Sequence, residues 1–290
     1  MDIEFKSKIR EQLQADYDAI QSVRKLSAKT GISASYISMI LSGKSDPADS
    51  TWIKLSQHYN VNETDYRVIA TRNFTNIQMI CDIARREKAM MLISGEAGRG
   101  KTTALMHYAQ NNPETIYIQG EREYSRVFLQ RFGEKVNVVF SSGGELYVAI
   151  NRIRERLSRL NNPLIIIDEA SKLPPAALLY IREIYMERRL SYAGIILAGV
   201  PSLENDILRF SRLNKRGFAE LHDRIQQPFI HLDAPTASEI SAICEANGIE
   251  KKYIPYAIKE AERSGSFRSI ERTLTNIQLK EEIESRLKAR

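Results

Sequence analysis

The chain has 290 residues, 43% of them apolar and 27% charged, a balance that excludes wholesale disorder and suits two or three small domains. No apolar run approaches the roughly 20 residues that cross a bilayer, the acidic residues Asp2, Glu4, Glu11, Asp16 and Asp18 rule out a secretory leader, and Cys81 and Cys244 are too few and too far apart for a disulfide framework or a zinc site. The net charge of +6 sits in residues 67–233, which hold 24 basic and 18 acidic side chains, against −1 for residues 1–66 and +1 for 234–290, so the middle of the chain is the part suited to a polyanion such as DNA.

Residues 1–66 read as short helices parted by small polar turns. Val23, Leu26 and Ile32 lead into Ile37, Ile40 and Leu41, an apolar stripe at helical spacing. Gly31 stands between them where a tight turn needs positive φ. Ser33 is a good N-cap for the next helix and Gly43 a good stop after it. A polar loop at 45–49 precedes a further amphipathic stretch with Trp52, Ile53, Leu55 and Tyr59. Helix, glycine turn and helix in that order predict a helix-turn-helix of the lambda-repressor kind.

From about residue 72 the texture changes. Apolar runs at Met90–Ser94, Ile116–Gln119, Leu164–Asp168, Gly194–Ala198 and Phe229–Leu232 alternate with longer helical patterns, which predicts a parallel sheet covered on both faces. After Ala234-Pro235 the strands stop. Thr236 with Glu239 forms a capping-box signature, and helical patterning runs on to the C-terminus. The predicted organisation is a helical module over 1–66, an α/β core over 67–233 and a helical lid over 234–290.

The first strand runs into Gly95-Glu96-Ala97-Gly98-Arg99-Gly100-Lys101-Thr102, with a helical pattern following from Thr103. This is the phosphate-loop spacing in its required strand-loop-helix context. Glycines let successive backbone N–H groups converge on a phosphate, and the helix N-terminus adds positive partial charge. Lys101 would neutralise phosphate oxygens of ATP, and the Thr102 hydroxyl would ligate Mg²⁺. The second half of such a site is Leu164-Ile165-Ile166-Ile167-Asp168-Glu169, a buried strand that delivers two carboxylates. Asp168 is placed to hold Mg²⁺ and Glu169 to polarise an attacking water, the equipment of an ATP hydrolase.

On these residues, together with the Leu197-Ala198-Gly199 strand end, the Asp223-Arg224-Ile225 segment and Gly265-Ser266-Phe267-Arg268, the chain resembles an AAA+ ATPase, and more narrowly the MuB family of transposition target-selection ATPases, with relatives in TnsC and IstB. The resemblance implies an AAA+ P-loop core between a helix-turn-helix module and a helical lid. It implies a cytoplasmic protein of bacterial or phage origin with no membrane partner. It makes Arg224 the arginine finger that reaches the γ-phosphate held by a neighbouring copy, with Arg216 and Arg212 as rivals, and makes Arg268 the sensor arginine facing its own subunit's nucleotide. Family members usually carry a polar residue where this chain runs Ala198-Gly199-Val200-Pro201. The departure implies slow hydrolysis, or a substitute in Ser202 or the backbone.

Two regions are candidates for DNA. The second helix of the N-terminal module offers Ser33, Ala34, Ser35, Tyr36, Ser38 and Met39 outward, without the Arg, Asn or Gln that read bases. Ser35 and Tyr36 are its candidate contacts, for non-specific DNA binding or for docking a protein. In filament-forming relatives the loop and helix after the second strand approach DNA, which points to Arg122 and Arg126. Arg152, Arg154, Arg156, Arg159 and Arg188-Arg189 add to the basic core. The reading these features support is an ATP-dependent protein that forms a ring or helical filament on double-stranded DNA, recruits a transposase and is dismantled by hydrolysis. A nucleotide-gated transcription regulator and an AAA+ motor or scaffold acting on protein are the alternatives.

Overall fold

The computed structural model describes residues 3–43, 47, 49–59, 68–139, 145–185, 191–226, 228–270, 272, 273 and 275. The chain forms two compact units, Met1–Arg67 and Val68–Arg290.

The first unit holds α1 (Ile3–Ile20), α2 (Val23–Thr30), α3 (Ala34–Ser42) and α4 (Asp49–Tyr59). Ile9 and Leu13 of α1 lie four residues apart on one face, and Tyr17 and Ile20 extend that stripe against the core. The pattern sustains an 18-residue helix where the sequence suggests only short ones. The stripe closes on Leu26, Ile32, Ile37, Ile40, Trp52 and Leu55. Gly31 ends α2 at φ 68°, and Ser33 Oγ accepts from the Tyr36 N–H at the start of α3.

The second unit opens with α5 (Arg72–Glu87), β1 (Met90–Ser94), α6 (Lys101–Asn111), β2 (Thr115–Gln119), α7 (Ser125–Lys135) and α8 (Leu146–Ser158). It continues with β3 (Leu164–Asp168), α9 (Pro175–Tyr185), β4 (Gly194–Gly199), α10 (Pro201–Arg212), α11 (Phe218–Arg224) and β5 (Ile230–His231). The five strands are parallel in the order β2-β3-β4-β1-β5. Successive strand residues point to opposite faces. Ile165, Ile167, Ile195 and Leu197 therefore pack with α7 to α10, while Leu164, Ile166, Ile196 and Ala198 pack with α5 and α6. Both faces are covered, so β1, β3 and β4 are buried along their whole length. The fold is the AAA+ α/β core.

The last strand is shorter than its apolar run: β5 pairs with β1 through Ile230 and His231, the Leu232 N–H donates to the Ser94 carbonyl at 2.9 Å, and the Phe229 and Leu232 side chains are buried in the core. After it come α12 (Ala237–Ala246) and α13 (Ile254–Ser264), which pack on each other in the stretch predicted to be the lid. Thr236 and Glu239 form the expected capping box, and Glu239 also accepts from the Arg72 N–H at 2.8 Å, tying the lid to α5. The helical pattern expected beyond residue 275 lies outside the described residues.

Candidate nucleotide site

Parallel strands place their C-terminal ends along one edge of the sheet, where α/β folds build their sites. At that edge β1 runs into Gly95–Gly100 and β3 ends at Asp168. The helix after the loop starts at Lys101, two residues before the first residue of the helical pattern, and Gly100 caps it with no side chain. Its first N–H groups are thus left for something other than the chain. Gly98 and Gly100 stand at φ 79° and 82°, a conformation that side-chain-bearing residues rarely adopt.

Lys101 is 9% exposed, and its Nζ donates to the carbonyls of Gly95 at 2.5 Å and Glu96 at 2.9 Å. Its ammonium is pushed below the usual lysine value, first by burial and then by the charges of Arg268 and Arg99, against the opposing pull of Asp168 and Glu96. A buried cation with two more cations beside it suits a polyanionic ligand.

Asp168 is fully buried. It accepts from Tyr117 Oη at 2.9 Å and from the Glu169 N–H at 2.8 Å. Burial, followed by the charge of Asp168 and this bond, pushes the Tyr117 phenol far above its usual value, so it serves as a fixed donor. Glu169 turns the chain sharply at φ 51°, and its backbone packs on Gly120, where a Cβ would lie 2.6 Å from the Glu169 carbonyl oxygen. The Glu169 carboxylate pairs with Lys172 and accepts from Gln119 Nε2 at 3.3 Å. Burial alone would raise its pKa. The bonds from Lys172 and Gln119, with the charges of Lys172 and Arg268, outweigh that and hold it below the ordinary carboxylate range.

The structure therefore brings Lys101, Asp168, Glu169 and Arg268 within one electrostatic cluster. It also lines the loop with Gly95, Glu96, Ala97 and Arg99, and sets Thr102 and Thr103 in the first turn of α6. This donor set fits ATP with Mg²⁺: two cations and an uncapped helix end for phosphate, and a hydroxyl with a buried carboxylate for a hard metal ion. Among the described residues no group of three or more His, Cys, Asp or Glu is placed to hold a metal by itself.

The other predicted residues lie on other elements. Arg224, at the end of α11, is half-buried and donates to the Arg182 carbonyl at 2.8 Å. Its rivals Arg212 and Arg216 are exposed. Arg122 and Arg126 are exposed beside α7, and Ser35 and Tyr36 are exposed on α3. Arg154 is turned onto the Glu183 carbonyl and Arg156 onto the Val136 carbonyl, so both serve their own chain. Arg188 and Arg189 lie outside the described residues.

Sequence reasoning missed Tyr117, Gln119 and Lys172. Tyr117 and Gln119 alternate along the edge strand β2 and meet Asp168 and Glu169 only through the register that pairs Gln119 with Asp168. Lys172 follows Glu169 by three residues, a helical spacing that was available as a signal.

Comparison with known proteins gives the same architecture. Residues 84–207 match the family model described as AAA domain, and residues 21–66 match that described as Helix-turn-helix. No curated protein matches the chain. Among solved structures, the Orc1 protein of Aeropyrum pernix in complex with DNA is similar at 20% identity and a TM-score of 0.55, over 76% of this chain. The chain spans 61% of the length of that protein.

Proposed function

We propose that this chain is an ATP-dependent, largely sequence-nonspecific DNA-binding ATPase of the MuB kind, which oligomerises on duplex DNA, recruits a transposase and is released by hydrolysis. The observation that carries the nucleotide half is the placement of Lys101 after the β1 loop and of Asp168 and Glu169 at the end of β3, within the field of Arg268. The DNA half is supported by the helix-turn-helix match, by the likeness to a protein solved with DNA, and by the basic excess of residues 67–233. The transposase follows from the family resemblance alone.

In this reading the loop amides and Lys101 bind the phosphates, while Thr102 and Asp168 hold Mg²⁺, which neutralises phosphate charge when bound. Glu169 takes the proton of the attacking water. Arg268 offsets charge from the same chain, and an arginine of a neighbouring copy completes the site, so assembly and hydrolysis are coupled. Arg224 is the family's finger. Its bond to Arg182 must open for that, whereas Arg212 and Arg216 are already exposed. Lys172 is paired with Glu169 and would have to release it for this role.

Glu169→Gln removes the base and keeps the shape. With ATP it should form oligomers on duplex DNA that persist for many times the wild-type lifetime, seen by electron microscopy and gel shift. Failure of this variant to bind DNA with ATP overturns the mechanism. A footprint at one discrete site would move the reading to a transcription regulator.

A further inference from the structure

The phosphate-loop spacing demands glycine at Gly95 and Gly100 and leaves the four positions between them free, yet this chain has a third glycine at Gly98. Its φ of 79° is one reason, and the lid gives a second. A Cβ on Gly98 would fall 1.7 Å from Ser266 Oγ, so the segment after α13 occupies the space a side chain would need. The Phe267 N–H donates to the Gly98 carbonyl at 2.9 Å. The Phe267 ring lies 3.8 Å from where a Cβ on Gly100 would be.

The next carbonyl is also held. The Arg99 carbonyl accepts from Asn73 Nδ2 at 3.2 Å, and the same nitrogen donates to the Asp233 carbonyl at 2.9 Å. Asn73 is 6% exposed, and both its partners are acceptors, so its amide nitrogen is the atom that must face them. Two successive loop carbonyls are therefore gripped from outside the loop, one by the lid and one by α5. A trans peptide is planar with its N–H opposite its C=O. Holding the carbonyls of Gly98 and Arg99 directs the amides of Arg99 and Gly100 the other way, and consecutive amides turned to one side form an anion-binding nest.

We infer that Asn73 and the Phe267 amide are positioning groups that clamp the Gly98–Gly100 backbone into its phosphate-binding form, so lid docking sets nucleotide affinity. This inference rests on the ATP-binding reading above and deepens it. The lid acts on the loop's peptide planes, before any side chain of the lid meets a nucleotide.

The test uses the full chain and MANT-ATP with Mg²⁺, read by fluorescence. Asn73→Leu keeps the branched heavy-atom skeleton and removes the donor. Phe267→Pro removes the amide at a helix start that tolerates proline, and Phe267→Leu keeps the amide. Asn73→Leu and Phe267→Pro should each weaken binding about tenfold, the order of one lost hydrogen bond, while Phe267→Leu should stay within about twofold to threefold. Hydrogen exchange on the wild-type chain supplies a readout free of substitutions. The Phe267 amide should be protected before nucleotide is added, and the Arg99 and Gly100 amides should become protected on addition. Wild-type affinity in Asn73→Leu, or an equal loss in Phe267→Leu and Phe267→Pro, overturns the clamp. If the variants do not fold, free exchange at Phe267 in the nucleotide-free wild type overturns it alone. Absence of MANT-ATP binding by the wild type would instead sink the nucleotide reading, whatever the exchange shows.

Discussion

Two helix starts in this molecule treat the same physical problem in opposite ways. Every helix begins with N–H groups that its own turns cannot satisfy. At α3 the chain satisfies them itself: Ser33 Oγ accepts from the Tyr36 N–H and lies 3.0 Å from Ser35 Oγ. At α6 the capping position is Gly100, which has nothing to offer, and the nearest cation, Lys101, is folded onto loop carbonyls. A helix end closed by its own cap is a structural end. A helix end left open, with buried positive charge beside it, is a site for an anion. The contrast locates chemistry in the second unit and leaves α3 to work through its exposed surface.

The largest effect that would sharpen this contrast is on Lys101. Lys101→Ala removes the one cation held inside the open end, and charge-assisted contacts of this kind are worth about 1.5–3 kcal/mol each in binding. Equilibrium titration with MANT-ATP should show a loss of about 100-fold, with thermal unfolding unchanged or slightly improved, because a buried, desolvated ammonium has been deleted. An unchanged affinity would mean the open end is not the phosphate site.

How much of this was legible beforehand follows from the range of the interactions. The phosphate loop, the Asp168-Glu169 strand end and the caps Ser33 and Thr236 are local patterns, and a local pattern is visible in a sequence. The parallel sheet was legible because fully apolar strands leave few alternatives. Tyr117 on Asp168, Gln119 on Glu169 and Asn73 on Arg99 were not legible, since each joins residues 26 to 51 positions apart through sheet register or helix packing. Helical spacing shows which face a residue shares but not whether a neighbouring carbonyl will claim it, as Glu183 claims Arg154.

A smaller effect is expected at Lys172. Its bond and charge, with the Gln119 bond, hold Glu169 below the usual carboxylate range against the upward push of burial. Removing the ammonium lets burial count for more, so Glu169 protonates at higher pH. In Lys172→Met the acid limb of the ATPase profile should therefore move to higher pH, and turnover on the plateau should rise severalfold, because the base is both freer and stronger. An acid limb that stays in place would remove Glu169 from the role of base.

The smallest effect is at the closed end. Ser33→Ala deletes the side-chain cap of α3 and should cost about 1 kcal/mol, a shift of roughly 4–8 °C in midpoint for a unit of this size. Trp52 is the single tryptophan of the chain and is buried in the core of the first unit, so its fluorescence reads that unit's melting by itself. The Trp52 transition should fall while MANT-ATP affinity stays at the wild-type value, because the cap serves a helix end that takes no ligand. If the Ser33 variant lost nucleotide affinity with its midpoint unmoved, the distinction between a closed end and an open one would not hold. A fall in the Trp52 midpoint alone would show that α3 owes its start to one hydroxyl.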